Sequence, residues 1–164
     1  MFNLALAEDL NIFNMLTNVA FIFPACTWLL AQIIKFFITA LMTKKFVLSR
    51  LWGDGGMPSA HSATVTSVAG MCGLSYGFDS AIFALAAIFA IVVMHDATGV
   101  RRESGKHAVV IKNVVEVIND YFIERDVEIK TEKLKMLVGH THLQVLFGAL
   151  LGVATTVVAY FICA

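Results

Sequence analysis

Long apolar runs separated by polar stretches set the plan of this chain. A helix needs about 20 mostly apolar residues to cross a bilayer at roughly 1.5 Å of rise each. Four runs meet or approach that length, at about residues 18–42, 59–76, 81–100 and 141–162. The second is rich in Ala, Ser, Thr, Val and Gly, a composition suited to close helix contact, so it is expected inside the bundle. Between the runs, Gly77-Phe78-Asp79-Ser80 is a short turn, whereas 43–58 and 101–140 are longer polar segments. Lys44, Lys45 and Arg50 fall in the first long segment, and eight further Lys and Arg residues, from Arg101 to Lys135, in the second; the N-terminal stretch and the short turn hold none. By the positive-inside rule both long segments face the cytoplasm and both termini face out.

Inside the second segment Ile111, Val114, Val115, Ile118, Tyr121 and Phe122 recur at helical spacing opposite Lys112, Glu116, Asn119 and Asp120. This pattern predicts an amphipathic helix on the membrane or against the bundle, followed by a short charged helix at 131–137. The expected fold class is all-α: an integral membrane helical bundle of about four transmembrane spans with an amphipathic cytoplasmic helical insert at 101–140, forming one membrane-embedded domain over 1–164. The expected location is the bacterial cytoplasmic membrane.

Composition agrees with the pattern. Of 164 residues 59% are hydrophobic, and the mean hydropathy of +0.79 is outside the range of soluble globules. Twelve basic residues balance twelve acidic ones, so no field attracts a polyanion and no nucleic acid is expected as a partner. Cys26, Cys72 and Cys163 stand singly in apolar runs and read as packing residues. The N-terminal stretch lacks a basic region and carries Glu8 and Asp9, so the first span is expected to stay.

This topology brings three polar blocks to one face. Residues 55–62 (Gly-Gly-Met-Pro-Ser-Ala-His-Ser) open the second span, residues 95–102 (His-Asp-Ala-Thr-Gly-Val-Arg-Arg) close the third, and Gly139-His140-Thr141 opens the fourth. Helix N-termini favour anions, Gly55, Gly56 and Gly139 let backbone come close to a ligand, and Arg101 and Arg102 offer donor forks matched to phosphate oxygens. His61 and His140 are able to divide phosphoryl transfer between nucleophile and acid. Asp54, Asp96 and Glu103 make a poor carboxylate set for metal ions, so neither metal nor cofactor is expected. Plainer readings stand beside these. Arg101 and Arg102 also suit membrane anchors, His95, His107 and His142 suit polar interface positions, Thr141 and Gln144 have capping-box spacing, and Gly148 and Gly152 form a small-residue seam. Lys35, one turn from Gln32, lies nine residues before Lys44, about 13 Å deeper at helical rise. A charge at that depth faces the bundle interior and marks a site, as a second phosphate cation or a partner of Asp96.

At these residues the chain resembles the divergent branch of the phosphatidic acid phosphatase type 2 and haloperoxidase-like superfamily. Pro58-Ser59-Ala60-His61 matches its P-S-G-H motif apart from one small residue, and His140 to Gln144 followed by an apolar glycine-bearing helix matches part of its third motif. Blocks like 55–63, 96–108 and 139–152 are characteristic of the divergent branch. The resemblance implies that His140 forms a phosphohistidine, that His61 is the acid for the leaving group, and that Ser59 is a phosphate ligand. The chain departs from the pattern where Gln144 replaces the orienting aspartate and where Lys133 and Leu134 replace a Ser-Arg pair. Arg101 and Arg102 are candidates for the missing guanidinium, and Asp96 for orienting a histidine.

The function read from the sequence is metal-independent hydrolysis of a phosphomonoester or diphosphate on a membrane lipid. The candidate catalytic residues are His140, His61 and Asp96. Ser59, Arg101, Arg102, Lys35 and Gly56 are the candidate phosphate binders, and Gln144 and Thr141 orient or cap. The alternative is a non-catalytic membrane protein that binds an anionic lipid headgroup and a cytoplasmic partner; a small transporter subunit, resting on Lys35 and Gln32, is a third reading. Pairing of two copies through the glycine seam of the fourth span is also expected.

Overall fold

The computed structural model describes residues 17–44, 56–122 and 139–163, without the side chains of 120–122. The predicted charged helix at 131–137 lies outside them. The described residues form five helices and no strand: α1 Val19–Thr43, α2 Ala60–Tyr76, α3 Ala81–Thr98, α4 Val100–Phe122 and α5 His142–Cys163.

Each helix of the bundle starts where a short polar side chain can take an orphan backbone N–H. Asn18 Oδ1 accepts from Ala20 N at 2.9 Å, Ser59 Oγ from Ser62 N at 3.3 Å, Ser80 Oγ from Phe83 N at 3.1 Å and Thr141 Oγ1 from Gln144 N at 3.3 Å. Gly77 closes α2 with a bond from its N–H to Gly73 O and turns the chain at a φ of 92° into α3.

Among the described residues three stretches are long and apolar enough to cross a membrane: Val19–Thr43, Ala81–Asn119 (which joins α3 to α4) and His142–Cys163. The second of the four expected spans falls just short of them: the 17 residues of α2 reach about 26 Å, at the low end of what crosses the hydrocarbon core. It is the central post, packed by α1, α3 and α5, as its small and hydroxyl residues predict. The bundle is accordingly apolar outside and small and polar within. Phe37, Leu85, Ile88, Phe89 and Phe161 are exposed, while the largest fully buried side chains are Thr27, Ser59, Ser62 and Ser67.

Small residues make this packing work, because helices in lipid gain from van der Waals contact and hydrogen bonds rather than from hiding apolar surface. A Cβ on Gly148 would press on Ser59 O and lie 2.9 Å from Ser62 Cβ; one on Gly152 would press on Ala63 O and lie 2.8 Å from Thr66 Cβ; one on Gly70 would lie 2.5 Å from Thr156 Oγ1. The numbers rise together along the seam, so α2 and α5 run parallel. This corrects the expected pairing of two copies through Gly148 and Gly152, since both glycines are buried against α2 of the same chain. α1 runs the opposite way. Its buried Thr27 lies 3.2 Å from Ser67 Oγ of α2 and 2.8 Å from Thr155 Oγ1 of α5, and its Lys35 touches Gly56, before α2.

α3 ends at Thr98 and α4 begins two residues later, with Gly99 N donating to His95 O and Gly99 O accepting from Glu103 N. Arg101 and Arg102 therefore stand in the first turn of α4, not at the C-terminal end of the third span as expected. The insert is helical from its start, and Val110, Ile111, Val114 and Val117 form an exposed apolar face on α4.

Candidate active site

The site is built at the end of the bundle where α2 and α5 start, and two backbone bonds tie its three segments. Ser59 N donates to Gln144 O at 2.9 Å, and His140 N donates to Ala97 O at 3.2 Å. Gly139 makes the second tie feasible: a Cβ there would overlap the backbone of Arg102 and lie 2.6 Å from Arg101 C. Gly139 thus rests directly on the junction of α3 and α4.

His140 is buried, at 8% exposure, and its ring faces that of the exposed His61, with centroids 6.3 Å apart and planes at 57°. Gln144 Oε1 lies 3.2 Å from His140 Nδ1 and accepts from Thr141 N at 3.0 Å. A backbone N–H can only donate, so the Gln144 atom facing it is the oxygen. The same oxygen can only accept from the imidazole, so Nδ1 carries a proton, and in the neutral ring the lone pair is on Nε2. With Gln144 N bound to Thr141 Oγ1, one residue closes the first turn of α5 and fixes the tautomer of His140.

Ser59 is fully buried, and its hydroxyl accepts from both Ser62 N and Ser62 Oγ–H, the latter at 3.0 Å. Its side chain holds the start of α2, from whose first turn His61 projects. Lys35 is 5% exposed. Its Cγ and Cδ run across Gly56, 3.0 Å from where a Cβ would stand, and Gly56 has a φ of 96°, a conformation that suits glycine. Gln32, one turn earlier on α1, is also buried, and its Oε1 has no hydrogen-bond partner among the described residues.

Asp96 stands elsewhere than expected. Its Oδ2 is 2.6 Å from Arg101 Nε in an exposed ion pair, while the proton of His140 Nδ1 goes to Gln144, so Asp96 is not the group that orients this histidine. Arg102 is half-buried beside Gly139, and His95, His107 and His142 are exposed. No group of three or more His, Cys, Asp or Glu suited to a metal ion occurs among the described residues. The Ala97 carbonyl that anchors His140 carried no signal in the sequence, because a backbone acceptor is independent of residue type. Gly139 did carry one, as a glycine just before a helix.

No solved structure matches the chain. A Bacillus subtilis (strain 168) protein described as the uncharacterized membrane protein YuiD is 40% identical over 155 residues, covering 90% of this chain and 98% of that protein. Residues 16–155, which include every site residue above, match the family described as the divergent PAP2 family. The chain belongs to the divergent PAP2 family of membrane proteins.

Proposed function

We propose that the chain is a metal-independent phosphatase acting on a phosphomonoester or diphosphate of a membrane lipid, with His140 as nucleophile and His61 as acid and base. The observation that carries this reading is the sharing of Gln144 Oε1 by Thr141 N–H and His140 Nδ1–H, which leaves the Nε2 lone pair on a buried ring facing His61. In the first step Nε2 bonds to phosphorus, the ester P–O bond breaks, and the departing oxygen takes a proton from the His61 imidazolium. Neutral His61 then removes a proton from water, whose oxygen bonds to phosphorus as the N–P bond breaks and its electron pair returns to Nε2. Lys35, Arg101, Arg102 and the backbone at Gly56 supply charge and donors for the phosphoryl oxygens, and Ser59 acts through the cap that aims His61.

Depth supports a lipid substrate. Lys35 is eight residues before the end of α1, about 12 Å at helical rise, and Phe37, Leu41 and Met42 in that interval are exposed apolar side chains. A phosphate held at Lys35 thus sits level with the apolar belt, where a headgroup can be reached while its chain stays in lipid. The Lys and Arg bias supports the cytoplasmic side for this end.

The test is phosphate release from a panel of lipid phosphates in mixed micelles with chelator present, repeated with a water-soluble ester in sealed vesicles of both orientations. Chelator-resistant release is expected, confined to inverted vesicles for the soluble ester, with a phosphoenzyme stable to alkali and labile to acid. Binding of the lipids without release from any of them would favour the headgroup-binding reading, for which the neutral Gln144 in place of an acid speaks.

Gln144→Glu keeps the side-chain length and both hydrogen bonds while adding a charge that stabilises the cationic imidazole. Turnover is expected to rise by about tenfold to a hundredfold, within the roughly 10⁴-fold that a carboxylate contributes in a catalytic triad. A fall in rate at every pH would show that Gln144 does not orient the nucleophile.

A further inference from the structure

α1 and α5 both pack on α2, and a furrow runs between them. Its upper part, about 330 Å³, is walled by Ile34 and Ile38 of α1, Phe147 and Leu150 of α5, and Met57 and Pro58. Its lower part, about 310 Å³, continues past Phe23, Leu30 and Val158. The two share Leu151 and Ala154, so they are one continuous apolar track. From Ile38 to Phe23 it spans about 22 Å at helical rise.

The furrow starts at the site. Met57 and Pro58 lie between Gly56, which touches the Lys35 stem, and Ser59, which caps the helix bearing His61. Ile34 adjoins Lys35 in sequence, and Ile38 is one turn beyond it. Two further cavities do not touch this loop: one of about 410 Å³ lies toward the far end of α2 and α5, by Leu74, Phe78 and Tyr160, and one between α1 and α2 is bounded by Trp28, Thr64 and Val68.

We propose that this furrow seats one hydrocarbon chain of the lipid whose phosphate the His61–His140 site takes, which names the substrate as a phosphate carried on a long single chain or on one chain of several. The inference rests on the phosphatase reading for its phosphate end, and on the furrow alone for its chain end. The occupant follows from the surroundings: α1 and α5 are membrane-crossing helices, their outer side chains meet lipid, and an open track among them fills with hydrocarbon. A chain leaving bilayer for furrow exchanges one apolar medium for another, so the furrow selects by shape and packing and not by burial of apolar area. It also fixes where the headgroup stops, because a chain lying along Leu151 and Leu150 delivers its polar end to Met57 and Pro58. Pockets of this kind orient a ligand by a few polar groups at one end of an apolar slot.

Ala154 belongs to both halves of the furrow and faces outward, so Ala154→Phe fills the track without entering the bundle. The expected result is a fall of at least about tenfold in kcat/KM on a long-chain lipid phosphate, with hydrolysis of water-soluble phenyl phosphate unchanged. A lipid phosphate with a photoreactive group along its chain is expected to label Phe147, Leu150 or Leu151 in the parent protein, with less label after Ala154→Phe. This second readout needs no turnover, so it still decides the furrow if the phosphatase reading fails. Unchanged lipid hydrolysis in the variant, or label spread evenly over the outer faces of α3 and α5 as bulk lipid would give, overturns the proposal.

Discussion

His140→Asn is expected to lower phosphate release by at least about four powers of ten, since removing a catalytic nucleophile costs up to about 10⁶-fold in kcat even where the site still binds its substrate. The substitution removes the lone pair that attacks phosphorus but leaves the surrounding architecture, since the bond from residue 140 to Ala97 O is made by the backbone and the Thr141–Gln144 cap does not involve the ring. A folded variant is therefore expected, with the parent's helical circular dichroism and elution volume and with no acid-labile phosphoenzyme. Retention of more than about a tenth of the parent rate by such a folded variant would move the nucleophile elsewhere.

The largest effect on stability is expected at Gly152. A Cβ there would meet Ala63 O, Thr66 Cβ and Ser67 N, so a larger residue runs into backbone, which cannot turn aside as a flexible side chain can. Gly152→Leu is expected to cost about 3 kcal/mol, at the upper end of overpacking penalties, because separating α2 from α5 also withdraws the contacts of Gly148 with Ser59 and Ser62. Reversible unfolding in mixed micelles against increasing denaturing detergent measures this. A variant within about 0.5 kcal/mol of the parent, the range of an ordinary surface substitution, would mean that the seam is not close.

The helices were legible because length, hydropathy and caps agree. α1, α3 and α5 begin or end within two residues of the apolar runs that predict them, and Thr141 caps α5 as its spacing to Gln144 predicts. The meeting of His61, His140, Arg102 and Lys35 near one end was legible from the alternation of long and short connections, which fixes helix direction without any knowledge of packing. What was not legible depends on backbone close approach between distant segments. The run from Ala81 onward gives no sign that Gly99 interrupts it, so Arg101 and Arg102 read as the end of one helix when they start the next. Asp96 reads as a partner for a histidine until Arg101 is found five residues along, at the right reach to claim it. Gln144 reads as a substitute for an acid or as a cap, and only the folded chain lets one oxygen serve both His140 and Thr141. Sequence distance hides the furrow altogether, because its walls come from three separate segments.

The parallel seam between α2 and α5 also bears on biosynthesis. α2 is short and poor in large apolar residues, and the turn Gly77–Ser80 ties it to strongly apolar α3, so a hairpin is its natural way into the bilayer. Its glycine-bearing partner α5 is the last of the described helices to be made, and it carries Gln144 behind His140. Until α5 arrives, the hydroxyl face of α2 has no seam to join and neither backbone tie across the site exists. The Ser59–Gln144 tie and the glycine seam therefore form only after α5 has joined α2, and the arrangement of His61 against His140 waits on that step.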